Sequence, residues 1–318
     1  MDTNIGAGMR MLARSWRIAA AWVCALCVAS AAMAAAPQRS FASPEDAGAA
    51  LVQALKVRDR AALVAILGPG SGQFISSGDA VADRLAVERF IAAFEQKHAV
   101  TGAGDARASL SVGADDWPFP FPLVKAEGGW RFDTEAGKGE LLARRVGRNE
   151  LAVINVMRAI VDAQREYASE YRGPDGVAQY ATRFASTPGR KDGLYWPAKA
   201  GEPESPLGPL VTRAAAEGYQ PKTTSGQRPY HGYYFRMLKA QGPHAKGGAF
   251  AYVVKGRMIG GFAAVAYPAQ YGNSGVMTFV VNHDGVVFQK DLGVATAKQA
   301  RAMTRFDPGA GWTPIPEQ

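Results

Sequence analysis

The sequence predicts an α+β protein built as two domains. Helical apolar stripes occupy residues 44–96 and 150–171, whereas short extended runs broken by Gly-Gly, Lys-Gly and Asp-Gly pairs occupy 108–133 and 230–290. With 36 glycines and 19 prolines among 318 residues, the chain has the turn formers that antiparallel strands need. Its 47% hydrophobic content is ordinary for a folded chain.

The chain opens with a leader. Arg10, Arg14 and Arg17 precede an apolar run from Ile18 to Val28, and the small-residue stretch Ala29–Ala36 follows. Basic, then apolar, then small is the order of a secretory signal peptide, and Ala32-Met33-Ala34 places cleavage after Ala34. An uncleaved anchor is the alternative, because Ile18–Ala36 approaches the roughly 20 apolar residues of a spanning helix. Its second half is mostly alanine, however, and only weakly apolar. A lipoprotein signal wants leucine three residues before the modified cysteine, where Cys24 has Ala21 and Cys27 has Cys24. A prepilin leader wants a glutamate just inside the apolar run, and none occurs between Arg17 and Glu45. Both cysteines leave with the leader, so the expected mature chain has no thiolate, disulfide or cysteine metal ligand. The expected location is periplasmic or secreted.

Residues 41–140 are expected to form the N-terminal domain. A helix is expected over 44–67, with Ser43 as its cap, Pro44 in the first turn, and Glu45 and Asp46 at its positive end. Leu51, Leu55, Ala62, Leu63 and Ile66 form its stripe, interrupted near Arg58-Asp59-Arg60, and Gly68-Pro69-Gly70 ends it. A second helix from Asp79 to Gln96 presents Leu85, Phe90, Ile91 and Phe94 on one face. Strands over 108–112, 119–125 and 129–133 follow, the last two joined through Gly128-Gly129 as a hairpin.

Residues 136–148, rich in Gly, Lys and Arg, read as the domain boundary. The C-terminal domain, 147–293, then opens with the strongest helix, Glu150–Tyr171, capped by Asn149. Val153, Val156, Met157, Ile160, Val161 and Tyr167 share its apolar face. Gly173-Pro174 stops it, and a long punctuated stretch to residue 227 carries a short helix at Pro209–Glu217. Strands over 230–238, 249–254, 258–267, 276–281 and 286–290 are expected as an antiparallel meander on the long helix. Their tight turns fall at Lys255-Gly256 and Asp284-Gly285. The tail, 294–318, carries a short helix and a proline-bearing end.

Formal net charge is +8, falling to +6 when the three arginines and Asp2 of the leader are removed. No block of five or six like charges occurs, which argues against a nucleic-acid groove or a polybasic membrane arm. The four histidines, His98, His231, His244 and His283, show no metal-ligand spacing. His283 falls in a turn and reads as solvent-exposed. Gly272-Asn273-Ser274-Gly275 resembles the G-D-S-G of a serine nucleophile but lacks the aspartate and sits between two strands. Gly68–Gly72 lacks the Lys-Ser/Thr of a phosphate loop. Asp162, Glu166 and Glu170 step by four along the long helix beside Arg158 and Arg165, the pattern of a solvated face rather than a cation site.

Trp117, Phe119, Phe121 and Trp130 read as core, with a sugar or peptide platform as the alternative. Tyr230, Tyr233 and Tyr234 pose the same choice. Tyr195 and Trp196, in the long loop, are the candidate binding residues, because loop tyrosine and tryptophan make good partner anchors. No catalytic residue, metal ligand or cofactor is assigned.

Several stretches carry a family resemblance. They are Trp117-Pro118-Phe119-Pro120 with Gly129-Trp130-Arg131-Phe132-Asp133, then Gly147-Arg148-Asn149-Glu150-Leu151 and Asp162-Ala163-Gln164-Arg165-Glu166-Tyr167. Gly232-Tyr233-Tyr234-Phe235-Arg236, Gly260-Gly261-Phe262, Ala266-Tyr267-Pro268 and Tyr271-Gly272-Asn273-Ser274-Gly275-Val276 follow in order. Over about 41–293 the chain resembles the exported bacterial proteins grouped as domain of unknown function 2950. That resemblance implies an envelope or secreted protein and transfers no catalytic residue. The C-terminal half also resembles the globular part of type IV pilins and pseudopilins, although its helix sits mid-chain and no prepilin leader precedes it. The N-terminal domain is similar, by analogy only, to cone-shaped folds of the nuclear-transport-factor type.

The expected function is a non-enzymatic envelope binding or scaffold protein that meets an envelope protein or polymer through aromatic loops, with no nucleic acid and no membrane span after cleavage. Two alternatives stay open. One is a hydrolase of an envelope polymer that uses Asp115-Asp116, or Glu202 and Glu204, as acid and base. The other is a pilin-like assembly subunit.

Overall fold

The computed structural model describes residues 37–102, 104–173, 175–220 and 228–316. The leader, with its cleavage site and both cysteines, lies outside the described residues. Among the described residues the fold is mixed α+β, with seven α-helices and antiparallel sheets; no helix is long and apolar enough to cross a membrane.

Helix α1, Pro44–Lys56, starts at Ser43, whose hydroxyl accepts from the Asp46 amide at 3.1 Å. It does not run on to residue 67. The chain breaks after Lys56, Arg58 takes a φ of +55°, and α2 restarts over Arg60–Leu67. The Asp59 carboxylate accepts from the Ala62 amide at 2.9 Å, so this residue satisfies a helix start instead of sitting in a helix interior, where aspartate is unfavourable. A one-turn helix α3, Gly72–Ile75, precedes α4, Ala80–Gln96, which Asp79 caps.

Five strands complete this lobe: β1 (His98–Gly102), β2 (Arg107–Val112), β3 (Trp117–Pro118), β4 (Leu123–Ala126) and β5 (Gly129–Phe132). They pair antiparallel in the order β1-β2-β4-β5, with β3 beside β2. Sequence patterning does not mark β1, whose short, mixed His-Ala-Val-Thr-Gly run lies at the exposed sheet edge. The lobe's core gathers Phe41, Leu51, Ile66, Phe121, Leu123 and Phe132.

Helix α5 joins the lobes. It runs unbroken from Thr134 to Glu170, 37 residues, or about 55 Å at 1.5 Å per residue. The segment 136–148, expected as a boundary, is its first half. Asp133, not Asn149, caps it, accepting from the Ala136 amide at 3.2 Å. The run Glu140–Arg145 is made of strong helix formers, which outweigh the penalty of about 1 kcal/mol at each of Gly137, Gly139 and Gly147.

The second half of α5 lays Val153, Val156, Met157, Ile160, Val161 and Tyr167 on the second lobe's sheet. Helix α6, Gly208–Ala216, lies in the long connection that follows. The main sheet contains β6 (Tyr233–Leu238), β11 (Ala263–Pro268), β12 (Met277–Asn282), β13 (Val287–Asp291) and β14 (Thr313–Pro314), in the antiparallel order β14-β13-β12-β11-β6. This is a meander with the tail added at one edge.

Between β6 and β11 the chain makes two short ribbons, which split the strands expected over 249–254 and 258–267. They are β7 (Ala240–Gln241) with β8 (Phe250–Ala251), and β9 (Val253–Val254) with β10 (Arg257–Met258). Lys255 and Gly256, at φ +49° and +79°, turn the second one. All six residues of β11 are buried, because α5 and the helix α7 (Thr296–Ala302) both pack on it.

Candidate functional site

The two lobes are latched by polar side chains at the turn between β11 and β12. The Asn273 amide donates to Ser76 O at 2.8 Å, Gln73 O at 3.2 Å and Gln270 Oε1 at 2.7 Å, and its oxygen accepts from Arg145. Asn149, buried in the middle of α5, donates to Ser274 O at 2.9 Å. From the other side, the Tyr219 hydroxyl and the Gly232 amide each donate to Asp79 Oδ2 at 2.9 Å. The Gly-Asn-Ser-Gly motif therefore works as a joint, not as a nucleophile loop.

Beside this joint lies a half-open cavity of about 820 Å³, lined by α4, the first half of α5 and the first lobe's core. Volumes of roughly 300–1,000 Å³ are typical of small-molecule sites. Its inner wall is apolar. Leu51 and Leu55 come from α1, Leu63 and Leu67 from α2, and Phe74 from α3. Phe119 and Phe121, on the chain between β3 and β4, and Leu141 of α5 close the far side. Leu85, Ala86 and Phe90 of α4 form the roof. This explains a feature unusual for an amphipathic helix: none of the 17 residues of α4 is fully buried. Part of its apolar stripe borders open space where packed side chains would otherwise stand.

The other end of the cavity is polar. Asp83 and Arg89 reach it from α4, Arg145 and Arg148 from α5, and Glu217, Tyr219 and His231 from the second lobe. Most of these groups are already engaged. Asp83 accepts from Ser76 Oγ and the Ser77 amide, both at 3.0 Å. Arg145 donates to Phe74 O at 2.7 Å as well as to Asn273. His231 Nε2 stands 3.9 Å from Glu217 Oε2. Among the described residues, Arg89 and Arg148 form no hydrogen bond and no ion pair.

Burial governs the protonation behaviour here. It lowers the pKa of Arg145, with Asp83 opposing, and lowers that of Arg148, with the like charge of Arg89 adding to the effect. Both guanidinium groups stay charged, as arginine does in proteins. Burial pushes Tyr230 up to about 12, helped by Glu217, and raises Tyr219 with the Asp79 carboxylate adding. It lowers His231, against Glu217 and Asp79, which leaves that imidazole neutral at pH 7. The His231 ring hydrogen-bonds no hydroxyl among the described residues, so no nucleophile–base pair is assembled. What the arrangement offers is an apolar body site with a cationic end.

The residues singled out from sequence lie elsewhere. Trp196 is 7% exposed and packs edge-on against Tyr167 and Tyr171 in the second core, and Tyr195 is half-buried against the same cluster. Their rings pack rather than project, because the loop folds back onto the end of α5, where the Tyr167 hydroxyl donates to Lys191 O at 2.7 Å. Asp115 and Asp116 are exposed, the latter 2.7 Å from Lys97 Nζ, and Glu202 and Glu204 are exposed in the long connection. None of the four lines the cavity.

His283 is not solvent-exposed as expected but half-buried, edge-on to Tyr252 and Phe262. Asp162, Glu166 and Glu170 are exposed, with Arg165 3.8 Å from Asp162. Phe119, Phe121 and Trp117 line the cavity, the last 43% exposed and under the Arg144 guanidinium at 4.6 Å. Sequence reasoning missed Arg89, Arg145 and Arg148. The available signal was Arg145 and Arg148 one turn apart, in the segment read as a boundary.

Comparison with curated proteins and with solved structures finds no match, so the resemblance of the C-terminal half to pilins is not confirmed. A family model described as "Protein of unknown function (DUF2950)" matches residues 38–315, which takes in both lobes, the helix that joins them and the whole cavity lining. On that match the chain belongs to the DUF2950 family.

Proposed function

We propose that the protein is an exported, non-enzymatic binding protein of the cell envelope, whose first lobe holds a ligand with a large apolar body. The cavity under α4 carries this reading: about 820 Å³ of space walled by leucine and phenylalanine, at a helix with no fully buried residue. The leader pattern at Arg10–Ala36 supports export. The binding role thus moves from Tyr195 and Trp196, which are packed into the second core, to the cavity. The hydrolase alternative loses its footing, since Asp115, Asp116, Glu202 and Glu204 are exposed and share no cleft. A pilin-like role rests on the helix-on-sheet form of the second lobe and nothing more.

The test is binding of a neutral solvatochromic dye, Nile red, to the folded chain. Ala82→Leu and Ala86→Leu each add three carbons to the cavity lining. They are expected to weaken dye binding about tenfold, because the added methyls occupy the dye's space. Thermal stability should hold or rise, since here the methyls fill a void instead of overpacking a core. Dye affinity unchanged in both folded variants would remove the cavity from the reading.

A further inference from the structure

We propose that the cavity's ligand is an anionic amphiphile, an acyl chain ending in a carboxylate or a phosphate, with its head group held by Arg148 and Arg89. This rests on the binding reading above and goes further by naming the ligand's chemistry. Both guanidinium groups border the polar end of the cavity. They are close enough for Arg89 to act on Arg148 as a like charge, and no carboxylate pairs with either among the described residues. Asp83 is engaged with Ser76 and Ser77, and Arg145 with Phe74 O and Asn273, while Glu217 lies 3.9 Å from the His231 ring and forms an ion pair with neither Arg89 nor Arg148. Two neighbouring cations left without a counter-charge repel each other, and one anion between them relieves both. Arginine also offers the planar, bidentate geometry that carboxylate and phosphate match. The opposite end is hydrocarbon-lined by Leu51, Leu63, Leu67 and Phe121, which suits a chain and rejects a compact inorganic anion. A cationic or zwitterionic head would meet Arg148 and Arg89 unfavourably.

The experiment displaces Nile red from the full chain with amphiphiles kept below their micelle concentrations. Octanoate, decanoate and dodecanoate measure the chain. Dodecanol, dodecyltrimethylammonium and dodecyl phosphate, at equal length, measure the head. Dodecanoate or dodecyl phosphate is expected to bind about tenfold tighter than dodecanol, the scale of a charge-assisted hydrogen bond in a partly dry site. Affinity should rise about fourfold per methylene until the cavity is full. The carboxylate and phosphate arms separate a fatty-acid source from a phospholipid one. Arg148→Gln and the double variant with Arg89→Gln should collapse the dodecanoate-to-dodecanol ratio to about one. Arg131→Gln, on β5 away from the cavity, serves as the charge control. Equal binding of all three head-group charges, or a ratio that survives Arg148→Gln with Arg89→Gln, overturns the head-group assignment and leaves the cavity reading standing. Failure of Nile red itself to bind overturns both.

Discussion

Asp79 shows how one side chain can hold two levels of structure. Its Oδ1 accepts from the Val81 and Ala82 amides and so starts α4, while its Oδ2 accepts from the Tyr219 hydroxyl and the Gly232 amide of the second lobe. The residue is 2% exposed, so water cannot replace it. Asp79→Ala leaves four donors without their acceptor and is expected to cost about 3 kcal/mol, because stranded buried donors are expensive. Asp59→Ala, which removes a solvent-accessible cap from α2, should cost only about 1 kcal/mol. Urea unfolding of the two variants checks this, and equal losses would refute the double role. The helix start at Asp79 was legible in sequence, since the residue stands at the head of the apolar stripe of α4. The docking half was not, because its partners lie 140 and 153 residues away.

At the scale of elements, α5 is where local signals and the fold part company. Three glycines within eleven residues, 137 to 147, read as a linker, yet the helix passes through all of them. They are not equivalent. A Cβ at Gly137 would overlap Pro120 O and Phe121 Cδ1 and would stand 2.7 Å from Phe121 Cα, so close approach of the strand connection requires glycine there. Nothing stands within 4 Å of a Cβ at Gly139 or Gly147. Gly139→Ala and Gly147→Ala should therefore each stabilise the protein by about 0.5–1 kcal/mol, through lower backbone entropy in the unfolded chain. Gly137→Ala should destabilise it by about 2 kcal/mol, since backbone has to move. Melting temperatures decide the matter, and a Gly147→Ala protein that melts lower would show that the helix bends there. The opposite misreading occurred at residues 57–59, where an apolar stripe crossed a real break. Periodicity reports which face is buried, not whether the backbone is continuous.

In the whole molecule, two hydrophobic cores share one helix, and the second encloses most of the raised tyrosines. Burial lifts Tyr252 and Tyr230 to about 12, and lifts Tyr233 further with Glu150 adding. A folded-state pKa above the unfolded value near 10 means that these groups stabilise the fold fully below pH 10, and that the contribution is lost as pH rises through about 12. Tyrosinate absorbance is therefore expected to show a late fraction that rises near pH 12 together with loss of far-ultraviolet circular dichroism. A single stage near pH 10 with the fold intact would contradict this. By itself the sequence determined the α+β class, the cap of α1, and the turns at Lys255-Gly256 and Asp284-Gly285. Those features depend on residues within a few positions of each other, on strand alternation and on helical periodicity. Tertiary structure alone decided the unbroken α5, the latch at Asn273 and the cavity between an arginine pair and a leucine wall. A void is the absence of packing among segments far apart in the chain, and no local pattern of residues records what three-dimensional assembly leaves empty.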